Sequence, residues 1–174
     1  MKEFPTRKSN RLKGYDYSQN GYYFITICVK DRRELLSKID ARSAGAINNR
    51  PQVLVKLSEY GNIVSSAICD IPAHYDGITV DKFVIMPNHI HMILVVGHGL
   101  VLGHGLVLDH GRLIIAPTGA VHTPVSTIIQ QLKRQISKQI GFSLWQKSFY
   151  DHIIRNESEL NRIRRYIDDN PAKW

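Results

Sequence analysis

The spacing of apolar positions divides this chain into strands and helices with little overlap. Gly21-Tyr22-Tyr23-Phe24-Ile25-Thr26-Ile27-Cys28-Val29 is rich in aromatic and β-branched residues and predicts a strand, which Asp31-Arg32-Arg33 ends. Residues 40–52 read as a loop, and Val53-Leu54-Val55 as a short edge strand. From Ser58, the spacing of Ile63, Ala67, Ile68 and Ile71 predicts an amphipathic helix that stops at Pro72. Ile78 to Ile85 and His89 to Val96 predict two more strands. Only Met86-Pro87-Asn88 separates them, so they must form an antiparallel hairpin.

Two helices follow. Val125, Ile128, Ile129, Leu132, Ile136 and Ile140 keep a helical period, with Thr123 as the expected N-cap, Pro124 in the first turn and Gly141 closing the helix. Trp145 to Arg155 reads as a fourth strand and its exit. Asn156 then caps a last helix, with Glu159 as its capping-box partner, Leu160, Ile163 and Ile167 as its core stripe, and Pro171 at its end. The order strand, helix, hairpin, helix, strand predicts an α+β, ferredoxin-like split βαβ fold. Its antiparallel sheet carries both main helices on one face, and the C-terminal helix is extra. The whole of 1–174 reads as one domain, with a basic arm at 1–20 and an insertion loop at 97–122 in which no regular structure is expected.

That insertion holds a repeat: Gly97-His98-Gly99-Leu100-Val101-Leu102, then Gly103-His104-Gly105-Leu106-Val107-Leu108, then a degraded copy from Asp109. His98, His104 and His110 therefore recur by duplication, and the repeat explains their spacing without a function.

Composition and charge narrow the partner. With 174 residues, 43% of them hydrophobic, the chain can bury a core without disulfide or metal staples. Cys28 and Cys69 form no CxxC pair. The charged start Met1 to Lys8 is followed by no apolar run, and charged and glycine residues break the stretch from Ile90 to Ile115. Neither a signal peptide nor a membrane span is expected, and the chain reads as cytoplasmic. A net charge of +8 suggests a polyanionic partner. Arg11, Lys13 and Tyr15 in the arm could grip phosphates and stack bases, or pack as a solvated tail. The outer face of the 125–140 helix, with Lys133, Arg134 and Lys138, contains no acid, which tilts it towards phosphate contact.

The chemistry concentrates elsewhere. Strand alternation puts His89 and His91 on one face, where they are either half of a metal site or merely a polar strand end. On the last helix, Tyr166 and Asn170 are four residues apart and share a face. Tyr166 reads either as an aromatic at the rim of the core or as a nucleophile towards a phosphodiester. A phenol, with a pKa of about 10, is a poor nucleophile at neutral pH and needs a cation on the scissile phosphate. His89 and His91 could hold it, with Asn170 as a third, oxygen ligand. Such a mixed, open site suits Mn2+ or Mg2+ better than a closed zinc cage.

The motif His89-Ile90-His91 after Met86-Pro87-Asn88, with a helical tyrosine downstream, resembles the HUH single-tyrosine transposases, and most of all their REP-associated (IS200-like) branch. Arg11-Leu12-Lys13-Gly14-Tyr15-Asp16-Tyr17, Trp145-Gln146 with Tyr150-Asp151-His152-Ile153-Ile154-Arg155, and Tyr166-Ile167-Asp168-Asp169-Asn170-Pro171 match the same branch. The resemblance implies cleavage of single-stranded DNA near hairpins by a monomer or homodimer, with covalent attachment to the 5′ end. It makes His89 and His91 the metal ligands, Asn170 a metal-assisting residue, Tyr166 the nucleophile on a catalytic C-terminal helix, and Tyr150 the runner-up. The sequence ends at Trp174, so no DNA-recognition tail beyond it is expected.

Other classes fit less well. A non-catalytic, domesticated binder of single-stranded nucleic acid on the same fold is the main alternative. An RNA-recognition domain would carry stacking aromatics in the central strands, where Val84-Ile85 and His89-Ile90-His91 stand. A zinc hydrolase lacks the third histidine or acid at short spacing.

Overall fold

The computed structural model describes residues 14–40, 53–97, 100–102, 106–109, 112–115 and 123–174. In chain order its elements are β1 (Gly21–Cys28), β2 (Ser37–Asp40), β3 (Leu54–Leu57), α1 (Glu59–Cys69), α2 (Ile71–His74), β4 (Ile78–Met86) and β5 (His89–Val96). They continue with β6 (Leu100–Leu102), β7 (Leu106–Asp109), β8 (Arg112–Ile115), α3 (Val125–Ile140), β9 (Tyr150–Ile154) and α4 (Glu157–Asp169). The main sheet runs β4-β5-β1-β9, antiparallel throughout. That order is the ferredoxin-like one, with the sequence-adjacent β4 and β5 as a hairpin beside β1.

Alternation along the strands gives the sheet two faces. Tyr23, Ile25 and Ile27 of β1 and Ile90, Met92 and Leu94 of β5 are fully buried, in one cluster with Val64 and Ile68 of α1 and Ile128, Ile129 and Ile136 of α3. The other face is covered by α4, whose Leu160, Ile163 and Ile167 pack with Ile93, Ile154, Tyr22, Phe24 and Val84. Two ion pairs pin α4 to β4. Arg164 Nε donates to Asp81 Oδ2 at 2.8 Å, and Lys82 Nζ stands 2.7 Å from Asp168. Asp81 occupies the irregularity between Val80 and Lys82, where the extra residue re-aims a side chain towards the helix.

Local chemistry explains the helix starts. Ser58 Oγ accepts from the Gly61 N–H at 3.1 Å and donates to the Leu35 carbonyl at 2.6 Å, so one hydroxyl both caps α1 and ties it to the preceding chain. A Cβ at Gly61 would stand 2.0 Å from the Leu36 carbonyl oxygen, so only glycine permits this approach. Gly141 ends α3 with φ 89°, as its position predicts.

Several expectations are corrected. Thr123 does not cap α3. Pro124 takes that position, and the helix begins at Val125, because a residue before proline is driven out of the helical region. Asn156 Oδ1 caps α4 by accepting from the Glu159 N–H at 2.9 Å, but Glu159 reaches back to the Arg155 N–H at 3.0 Å rather than to Asn156. The fourth strand covers only Tyr150–Ile154, with Trp145 contributing a single bridge to Val29. Between them the carbonyls of Gln146, Lys147 and Ser148 accept from Lys133 Nζ, at 2.6 to 3.3 Å, instead of entering a ladder. The expected edge strand is Leu54–Leu57, paired with a strand that the pattern misses, Ser37–Asp40. The expected irregular insertion forms three short antiparallel strands, because the copies of the repeat supply the apolar runs Leu100-Val101-Leu102, Leu106-Val107-Leu108 and Leu113-Ile114-Ile115. Among the described residues, no helix is long and apolar enough to cross a membrane.

Candidate active site

β5 begins immediately after the Pro87-Asn88 turn, and the turn is anchored on both sides. Val29 N–H donates to the Asn88 carbonyl at 2.9 Å and Leu36 N–H to the Pro87 carbonyl at 3.0 Å. The two histidines that follow point to the α4 face, and their Nε2 atoms converge to 3.0 Å. Each Nδ1 has its own oxygen partner. That of His89 lies 2.8 Å from Asn88 Oδ1, and that of His91 lies 2.8 Å from Thr26 Oγ1. An amide oxygen only accepts, so His89 carries its proton on Nδ1 and offers a lone pair at Nε2. Thr26 directly opposes His91 across the β1–β5 ladder, and its hydroxyl can accept from Nδ1–H, which frees Nε2 of His91 in the same way.

Electrostatics keep both rings neutral. Burial, and then the neighbouring His89, push the His91 imidazole down to about 3, while burial and then the Arg32 guanidinium lower that of His89. Neutral imidazoles with converging lone pairs are what a divalent cation requires. Adjacent ligands of an octahedral ion with bonds of about 2.1 Å stand roughly 3.0 Å apart, the separation of the two Nε2 atoms here. No cluster of three His, Cys, Asp or Glu side chains is found among the described residues, so further ligands would be other oxygens.

Tyr166 comes to the pair from α4. Its hydroxyl lies 3.4 Å from His91 Nε2, and its ring meets Phe24 and His91 edge-on, with centroids 6.0 and 5.3 Å away. Phe24 also stacks on His91 at 5.2 Å. The phenol is thus fixed by rings on two elements while 42% of the residue stays open to solvent. Asn170 lies one turn further, at the C-cap of α4, half-buried and making no hydrogen bond to either imidazole. Tyr150 shares this face but is two strands from His91, across the row His91, Thr26, Tyr150, or roughly 10 Å at usual strand spacing.

The structure does not bring the expected phosphate contacts to this face. Arg11 and Lys13 lie outside the described residues. Tyr15 packs edge-on against Tyr17 at 5.1 Å, and its hydroxyl is 3.3 Å from that of the buried Tyr23, on the α1/α3 side of the sheet. Lys133 is half-buried and directed at three carbonyls. Arg134 and Lys138 are exposed on α3, beside a cavity of about 430 Å³ that His74 and Tyr75 also line. A second cavity, of about 420 Å³, lies at the other end of β5, by Gly97 and Arg164. Neither is lined by His89, His91 or Tyr166.

Sequence reasoning missed Thr26, Asn88, Phe24, Arg32 and Trp174. Asn88, in the turn Met86-Pro87-Asn88, is legible in the sequence as a partner of its neighbour. The other four become visible only when strand register and the end of α4 are known.

No protein-family model matches the chain. A Haemophilus influenzae protein without an assigned activity is 33% identical over 173 residues, covering 97% of this chain and 89% of its own length. A second protein from that organism, provisionally named a REP-associated tyrosine transposase, is 25% identical over 158 residues, covering 91% of this chain and 74% of its own length. The solved structure of a REP-associated tyrosine transposase bound to a REP hairpin shares the fold, with a TM-score of 0.59 at 20% identity, over 99% of this chain and 74% of that one. In sequence and in fold, the chain is thus similar to REP-associated tyrosine transposases.

Proposed function

We propose that this protein is a transposase that nicks and rejoins single-stranded DNA beside hairpin elements through a 5′-phosphotyrosine on Tyr166, with Mg2+ or Mn2+ held by His89 and His91. The observation that carries the reading is the meeting of three groups from two elements. Two Nε2 atoms lie 3.0 Å apart, and a phenol oxygen lies 3.4 Å from one of them. The relative of known structure is described with a REP hairpin, and we extend that class of substrate, and mobilisation of such elements, to this chain.

When bound, the cation draws charge from the scissile phosphate and favours the developing phenolate. The remaining work belongs to the chain. Thr26 and Asn88 fix the imidazoles, and Phe24 and His91 hold the phenol in line with the site. Tyr166 Oη attacks phosphorus, the bond to O3′ breaks, and the proton lost by the phenol is matched by one gained at O3′. The phosphotyrosine keeps the bond energy, so a free 3′-hydroxyl can reverse the step and join strands. We assign Asn170 as a further oxygen donor once substrate is in place. Arg134 and Lys138 offer phosphate contacts from the far side of the sheet, so a strand that reaches both regions must pass around a sheet edge.

Incubation with hairpin-bearing single-stranded oligonucleotides and Mn2+ should yield a denaturation-resistant protein–DNA adduct. Tyr166→Phe and His89→Ala should both abolish it. Salt-sensitive binding with no adduct from the unaltered protein, across a broad hairpin pool, would favour the non-catalytic binder instead.

A further inference from the structure

Trp174 has no structural reason to be where it is. It stands just past the single turn Pro171–Lys173 that follows α4, its N–H reaching the Pro171 carbonyl at 3.4 Å. Its indole meets the His89 ring at a centroid distance of 5.8 Å and a 39° tilt. It belongs to neither hydrophobic cluster and is 50% exposed. An exposed indole contributes little to stability, and water gains by its removal. What it does have is position. The turn that follows the nucleophile's helix brings this ring to the side of the imidazole pair occupied by His89.

We infer that Trp174 is the stacking platform for the unpaired base adjoining the cleaved phosphodiester. The inference rests on the single-strand reading above and adds to it a residue that touches substrate. A phosphate seated at His89 and His91 leaves its own nucleoside within reach of a ring packed beside His89. Every base has a flat face, so stacking on an aromatic side chain strengthens binding without demanding a sequence. Stacking here would fix the step that meets Tyr166 Oη, while recognition of the hairpin lies elsewhere.

The chain has two tryptophans, and Trp145 is only 5% exposed, so quenching by DNA reports on Trp174. The probes are a short oligothymidylate and an abasic backbone of equal length, both in Mg2+. The thymidylate should quench the emission and the abasic chain should not, and Trp174→Phe should remove the quench. By anisotropy of the labelled thymidylate, Trp174→Ala should bind about tenfold more weakly and Trp174→Phe nearly as well as the parent, with thermal midpoints unchanged. Equal quenching by the abasic chain, or unchanged binding by Trp174→Ala, would overturn the inference alone. No binding of the thymidylate by the parent protein would overturn the single-strand reading and this inference together.

Discussion

On the side of the sheet packed by α1 and α3, the two central strands deliver Tyr23, Ile25, Ile27, Ile90, Met92 and Leu94, every one fully buried. On the other side the same two strands deliver Tyr22, Phe24, Thr26, His89, His91 and Ile93, where aliphatic packing is confined to one end and imidazoles take the other. The first face stores most of the burial that makes the fold stable. The second is a small apolar cluster that seats α4 and then gives way to chemistry. A shift of pairing by one residue would exchange the two sets, so the large core is also what holds Thr26 opposite His91. The lesson is that the packed face fixes the register and the sparse face uses it.

The comparison breaks first at Tyr166. Its hydroxyl is the one reactive group α4 places on the imidazole pair, so Tyr166→Phe should cost at least about 10³-fold in adduct formation. Because the residue is 42% exposed, the thermal midpoint should barely move, which a melt of the purified variant checks. On the packed face the reverse is expected. Gly61→Ala, ordinarily favourable inside a helix, should destabilise by about 3 kcal/mol in denaturant titration, because its Cβ meets the Leu36 carbonyl.

Lys133→Met separates packing from DNA contact. It strands the carbonyls of 146–148 and should lower stability by about 1–3 kcal/mol while leaving the salt dependence of oligonucleotide binding intact. Arg134→Ala should do the opposite, flattening the salt slope by about one unit at unchanged stability. An unchanged slope would remove α3 from the DNA path.

Acid should reveal the sparse face by its protons. The folded imidazole of His91 is pushed from 6.5 down to about 3, so between those values the unfolded chain binds a proton that the folded chain does not. The contribution of His91 is complete above about pH 6.5 and is lost as pH falls, at up to about 1.4 kcal/mol per unit. Metal-free protein titrated with denaturant at successive pH values should therefore lose stability on acidification more steeply than His91→Asn.

Much of this was legible in the sequence. Period-two alternation is local, so the shared face of His89 and His91 could be read directly, and the cap and stripe at Asn156, Leu160, Ile163 and Ile167 gave α4. What was not legible depends on pairing between distant segments. Thr26 becomes a partner of His91 only through the β1–β5 register, and Asp81 becomes an anchor for Arg164 only through an irregularity in β4. Short polar strands such as Ser37–Asp40 carry too few alternations to stand out. The acid-free face of α3 is visible in the sequence, which does not say that Lys133 turns inwards or that this face lies across the sheet from the histidines. Charge is visible in one dimension, and its direction is not.

The central claim is that the nucleophile stands on α4 above the imidazole pair, and one measurement addresses it most directly. Tryptic digestion and mass mapping of the covalent DNA adduct would release Tyr166 in the peptide 166–173 and Tyr150 in the peptide 148–155. The account predicts the nucleotide remnant on 166–173 alone. A remnant on 148–155 would move the chemistry two strands away from His91 and contradict it.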